Sequence, residues 1–129
     1  MFTLTPYFDE RGTLVPMEIH PYKFPVKRLF WVTGVPAGAT RGNHAHYKTR
    51  QMLICIQGDI IVKLIYPNKE ENNFPLMRNQ WCFVDKMVWD AQTFSSPSDI
   101  LLVLADTFYN ENDYITDFEV FKQLQYNKC

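Results

Sequence analysis

The apolar positions of this chain fall in short runs, often alternating with polar ones and broken by turn residues. That is the pattern of β-strands, in which successive side chains point to opposite faces. Residues 2–4 read as an edge strand, 9–12 as a turn and 13–18 as a short strand. Residues 20–25 carry two prolines and are expected to be irregular. Residues 28–33 (RLFWVT) are dense in aromatic and β-branched types and predict a strand, and residues 35–38 turn the chain. In 51–57, Met52, Ile54 and Ile56 share one face and Leu53 and Cys55 the other. Both faces are apolar, which predicts a strand covered on both sides. Gly58-Asp59 reads as a tight hairpin returning through 60–66, and 67–73 as a polar loop. Further strands are expected at 74–78, 81–84, 88–94 and 100–105, with a turn at 95–98. The tail changes character. Residues 116–119 have the form of a capping box, and Phe118, Phe121 and Leu124 would line one side of a docked helix. The end, through Cys129, is expected to fray.

This succession predicts an all-β protein, a two-sheet jelly roll or small β-barrel with a short C-terminal helix. At 129 residues, without linker, repeat or low-complexity segment, residues 1–129 form a single domain. Aromatic residues make up 16%, so rings fill the core or line a cleft; Trp31, Trp81 and Trp89 are assigned to the core. The net charge of −1 offers no electrostatic footprint for nucleic acid or an anionic membrane. The N-terminus, MFTLTPYFDE, lacks the basic start and apolar run of a signal peptide, and no apolar run reaches membrane-spanning length. The three cysteines are an odd number without a C-x-x-C; Cys55 and Cys82 sit in strand-like runs and read as buried, inert thiols. A cytoplasmic location is expected.

Chemistry concentrates in residues 38–58, GATRGNHAHYKTRQMLICIQG. On a strand, His44 and His46 face the same way. Such a pair can share a substrate proton or a metal, or be a polar pair satisfied by its neighbours. The spacing from Gly38 through His44, His46 and position 51 to Gly58 is that of the first cupin motif, with Gln51 standing where metal-binding cupins have glutamate. A neutral amide is a poor ligand for a transition ion, so Gln51 is a candidate to bond a substrate hydroxyl, orient a histidine or close a strand start. Arg41 carries a planar guanidinium suited to a diphosphate, beside Gly42; the alternative is a surface arginine at a loop end. Lys48 reads as solvated. Asp90, if it faces the histidines, can fix an imidazole tautomer or contact substrate, pair with an arginine, or complete a set of two histidines and one carboxylate. Tyr22, Tyr47 and Tyr109 are possible acids.

Nearly the whole chain resembles the sugar-nucleotide 3,4-ketoisomerases, small cupins often called the WxcM-like family. The matching stretches are residues 9–18 (DERGTLVPME), 27–32 (KRLFWV), 41–58 (RGNHAHYKTRQMLICIQG), 99–106 (DILLVLAD) and 109–121 (YNENDYITDFEVF). The resemblance implies a jelly roll forming a homodimer with exchanged N-terminal strands. It implies an active site centred on His44 and His46, with Arg41 serving a dTDP-linked 4-keto-6-deoxy sugar. In such a reaction a base takes the C3 proton and the resulting enediolate is protonated at C4, so the ketone moves from C4 to C3; histidine suits this exchange. No metal or cofactor is expected, and the product would serve 3-amino-deoxysugar and surface glycan biosynthesis. The chain departs from the family in carrying Trp89-Asp90 where Trp-His is common, and Phe30-Trp31 where Tyr-Tyr is frequent. Glu18 and Arg11 are candidates for an ion pair near the dimer interface. A metal-dependent cupin enzyme and a non-catalytic sugar-nucleotide-binding cupin are the competing readings.

Overall fold

The computed structural model describes residues 1–19 and 22–126, the side chains of 125 and 126 excepted. Cys129 and the first two residues of the expected irregular segment 20–25 lie outside the described residues. The strands are β1 (Phe2–Thr3), β2 (Tyr7–Asp9), β3 (Gly12–Leu14), β4 (Arg28–Val32), β5 (Thr40–His46), β6 (Gln51–Gln57), β7 (Asp59–Ile65), β8 (Glu71–Met77), β9 (Gln80–Val84), β10 (Trp89–Phe94), β11 (Ile100–Ala105) and β12 (Tyr114–Ile115). A short 3-10 turn, Glu111–Asp113, precedes β12, and helix α1 (Phe118–Tyr126) ends the chain.

Two antiparallel five-stranded sheets, in the orders β1-β9-β6-β11-β4 and β12-β5-β10-β7-β8, form the expected jelly roll. The chain crosses between sheets at almost every connection, so the core fills from both. Leu53, Val103 and Leu101 of one sheet meet Val62, Leu64 and Phe94 of the other. Cys55 and Cys82 belong to this core, and burial pushes their thiols up to about 11 and about 12, which leaves them inert as expected.

Several sequence expectations need correction. Gly58-Asp59 is not a hairpin: β6 and β7 lie in different sheets, and Gly58 is the corner between them. A Cβ there would fall 1.9 Å from Asp99 Oδ1, so only glycine fits. The hairpin is instead β7–β8, with Ile65 opposite Glu71, so the last three residues of the expected polar loop, 71–73, are strand. The strand expected over 13–18 shrinks to Gly12–Leu14 and pairs with β2 in a separate two-stranded hairpin. Arg11 bonds Asp9 within that hairpin rather than Glu18. Ile56 is exposed, because β6 runs past its cover at its far end. Trp31 is also exposed, at 66%: it sits on the outer face of β4, an end strand that nothing in the single chain covers.

Part of each outer face is covered. Phe24 packs on Met52, Ile54 and Trp81 behind β6, joined by Leu4, Met17 and Ile19 from the N-terminal segment. Behind β5, Ala45 and Trp89 receive Phe121 with Phe118 and Leu124, so α1 docks through the face its spacing predicts. Its cap lies one residue later than the capping-box reading: Asp117 accepts from Glu119 N at 2.9 Å and Val120 N at 3.4 Å. Among the described residues, no helix is long and apolar enough to cross a membrane.

Candidate active site

Ala45 faces outward under α1, so its neighbours His44 and His46 face the space between the sheets. Arg41, three residues from His44, would face outward on a regular strand. A bulge reverses this. Asp90 pairs with His44 but Ala91 pairs with Gly42, leaving Asn43 as the extra residue, at φ +56° beside Gly42 at +86°. Arg41 then stands opposite Gln92, on the histidine face. Gly42 is needed for the close approach of β10: a Cβ would lie 3.0 Å from Gln92 Oε1 and 3.1 Å from the Asp90 carbonyl.

The cleft opens where β4 ends one sheet and β5, with the short β12, ends the other. It holds a cavity of about 80 Å³. Arg41 and His44 line it from β5, Phe30 from β4, Gln51 from β6, Asp90 from β10 and Tyr114 from β12. His46 lies beside them, its ring centroid 4.9 Å from that of His44. The Tyr114 ring contacts both, at 5.2 Å from His44 and 4.5 Å from His46.

Electrostatics keep both imidazoles neutral. Burial lowers the His44 pKa. Burial, then the neighbouring His44, lowers His46 to about 4. Asp90 is 1% exposed, and burial pushes its carboxyl up to about 7, against the opposing hydrogen bond from Gln92 Nε2 to Oδ1 at 2.6 Å. His44 Nε2 lies 3.9 Å from Asp90 Oδ1. Two polar atoms here are buried without a hydrogen-bond partner, His46 Nε2 and Asp90 Oδ2. Orphaned groups of this kind are costly, and they mark the side of the cleft that is built to meet something else. One donor atom from each of His44, His46 and Asp90 lies within 4.8 Å of the others, so these three residues also form a possible ligand set for a metal ion.

The turn after His46 is held rigidly. Asp113 accepts from Lys48 N at 2.8 Å, from Thr49 N at 3.2 Å and from the Thr49 hydroxyl. Asp106 accepts from Arg50 N and Nε at 2.7 and 2.6 Å. Met87 N donates to the His46 carbonyl at 2.7 Å.

The structure thus brings His44, His46, Arg41, Gln51 and Asp90 to one cleft. It does not bring Tyr22, which packs edge-on against Trp81, or Tyr47, which is exposed. Sequence reasoning missed Tyr114 and Gln92. Tyr114 had one available signal, its place in the family-like stretch 109–121. Gln92 carried only its even spacing from Asp90.

Residues 1–126 match the family model described as FdtA: WxcM-like, C-terminal, and the chain belongs to this family. It is 31% identical over 116 residues to a TDP-4-oxo-6-deoxy-alpha-D-glucose-3,4-oxoisomerase of Aneurinibacillus thermoaerophilus, covering 89% of this chain and 84% of that protein. QdtA, a sugar 3,4-ketoisomerase of Thermoanaerobacterium thermosaccharolyticum solved in complex with TDP, superposes with a TM-score of 0.87 at 30% identity, over 98% of this chain and 93% of that one. A 3,4-ketoisomerase from Helicobacter canadensis gives 0.86 at 30% identity, over 96% and 94%.

Proposed function

We propose that this chain, a sugar-nucleotide 3,4-ketoisomerase by family, moves the ketone of a dTDP-linked 4-keto-6-deoxyhexose from C4 to C3 by histidine acid–base catalysis. The observation that supports it most is the pair of inward, neutral imidazoles on one cleft face, with His46 Nε2 buried and unpartnered. A neutral imidazole can take the C3 proton, which the adjacent carbonyl acidifies. One histidine is the base; the other donates to the enediolate oxygen or carries the proton to C4. Arg41 engages the diphosphate at the cleft edge. Gln51 and Asp90 bond sugar hydroxyls, Asp90 as a donor when it is protonated.

NMR of dTDP-4-keto-6-deoxyglucose incubated with the protein in deuterated water tests this reading. Deuterium should enter at C4 as a 3-keto product appears, and at C3 of any 4-keto sugar formed by the reverse step. A spectrum that never changes would leave a sugar-nucleotide-binding cupin.

A metal-dependent reading rests on one observation, the mutual approach of His44, His46 and Asp90. Against it, Gln51 occupies the position where a carboxylate ligand would stand, and imidazoles engaged in proton transfer must be free of metal. Activity retained in EDTA, with far less than one metal per chain, is the expected result. Stoichiometric iron, zinc or manganese, with activity lost on chelation and regained on re-addition, would make Asp90 the third ligand instead.

The working unit is a homodimer. Within one chain Tyr7, Phe8 and Leu14 of the β2–β3 hairpin and Leu29 and Trp31 of β4 are exposed apolar side chains that a second chain would cover. Exchange of the N-terminal strand would replace the pairing of Phe2 with Trp81 of its own chain by the same pairing across the dimer. A monomer in sedimentation at micromolar concentration would refute this. The enzyme works in the cytoplasm, and its product feeds amino-sugar and surface glycan assembly.

A further inference from the structure

Arg28 opens β4 opposite Ala105, and it shares its strand face with Phe30 and Val32, which line the cleft. Its guanidinium carbon lies 5.7 Å from the Phe30 ring centroid and 5.6 Å from that of Tyr109. The Tyr109 ring in turn approaches Tyr114, at 5.9 Å, and Tyr114 packs on His46. The Arg28 charge reaches His46 and helps hold that imidazole neutral. Among the described residues Arg28 makes no ion pair, and its Nε is buried without a hydrogen-bond partner. The carboxylates near His46 are committed elsewhere: Asp106 to Arg50, and Asp113 to the backbone of Lys48 and Thr49.

Arg28 is half-buried, two rings hold its guanidinium in place and its buried Nε lacks a partner, an arrangement that favours an incoming anion. The established folding contacts do not supply one. Resting on the isomerase reading, we propose that Arg28 is a catalytic residue that stabilises the enediolate. When the base takes the C3 proton, the C–H electron pair forms the C3–C4 double bond, and the carbonyl pair moves onto the C4 oxygen. That oxygen gains a full negative charge as the base histidine becomes an imidazolium. Arg28 meets it with a fixed positive charge and N–H donors. Return of the abstracted proton from the base to C4, with transfer of the C3 hydroxyl proton to the C4 oxygen, then gives the 3-ketone and a C4 hydroxyl, with no net oxidation. Arg41 lies at another level of the cleft, opposite Gln92, and takes the diphosphate, so the two arginines divide binding from chemistry.

The test compares Arg28→Met and Arg28→Lys with wild type in three readouts: turnover of dTDP-4-keto-6-deoxyglucose, deuterium entry into the sugar, and dTDP affinity by calorimetry. Arg28→Met should lower kcat by roughly 10²–10³-fold, as loss of a preorganised oxyanion donor does. Its dTDP affinity should stay near that of wild type, because dTDP lacks the reacting ketone. Arg28→Lys keeps the charge but loses the planar donors, and should recover part of the rate. Deuterium entry should slow in step with turnover. Weakened dTDP binding with kcat unchanged would overturn the inference and make Arg28 a diphosphate ligand. If Arg28→Met does not fold, the lysine variant decides: unchanged kcat overturns the inference, and a lowered kcat at constant dTDP affinity supports it. Wild-type protein that neither turns over nor exchanges deuterium would instead sink the isomerase reading.

Discussion

Two polar regions adjoin His46, and they are built on opposite terms. In the turn just after it, every buried carboxylate is occupied: Asp113 by two backbone N–H groups and a hydroxyl, Asp106 by an arginine and its backbone. In the cleft just before it, His46 Nε2 and Asp90 Oδ2 are buried without partners, and Arg28 Nε, on the strand face shared with Phe30 and Val32, is too. A protein gains stability from the first arrangement and loses it in the second. The contrast assigns the two regions their work. The satisfied turn fixes the end of β5, and the unsatisfied cleft keeps donors and acceptors free for a substrate.

Substitution should separate the two. The largest effect is expected for His44→Asn and His46→Asn, each lowering turnover by at least ~10²-fold with the fold intact, as circular dichroism and melting would record. Wild-type turnover in both variants would mean that the cleft is not the active site. Asp113→Ala should do the reverse. It strands the Lys48 and Thr49 N–H groups, costing about 3 kcal/mol and roughly 10 °C in melting temperature. An unchanged melting point would show that the turn does not depend on this clamp. Arg41→Lys comes next, raising KM by roughly tenfold through loss of bidentate geometry while kcat stays closer to wild type. A change confined to kcat would put Arg41 at the sugar instead.

The smallest effect concerns pH and stability. An imidazole ordinarily titrates at 6.5, but the fold holds His46 at about 4. Its stabilising contribution is therefore full above 6.5 and is lost as pH falls toward 4. Asp90 runs the other way, because its carboxyl rises from 3.8 to about 7 on folding. Its contribution is full below 3.8 and is lost as pH rises from there through 7. Asp90→Asn should thus melt a few degrees higher than wild type at pH 8, roughly, and lose that advantage as pH falls toward 4. The same difference at both pH values would mean that Asp90 is already paired in the folded protein.

Much of this was legible in the sequence. Alternation has a period of two residues, so it identifies strands and the residues sharing a face with no knowledge of the partner strand. It therefore placed the strands of 28–33, 51–57 and 100–105, set His44 and His46 on one side, and made Cys55 and Cys82 core. The helix face of Phe118, Phe121 and Leu124 was readable for the same reason, since a local repeat suffices. What alternation cannot carry is pairing. Gly58 looked like a hairpin turn because a sharp corner and a hairpin use the same residue; only the packing of Asp99 against it shows that the chain changes sheets there. The single extra residue at Asn43 flips the face of everything before it, so the cleft position of Arg41 was decided by how β5 meets β10. Asp90 became opposite to His44, Tyr114 reached both histidines, and Arg28 lost any anion of its own only when strands far apart in the chain were brought edge to edge. Faces follow from local geometry, whereas partners follow from burial shared across the whole molecule, and that is a property of the tertiary structure alone.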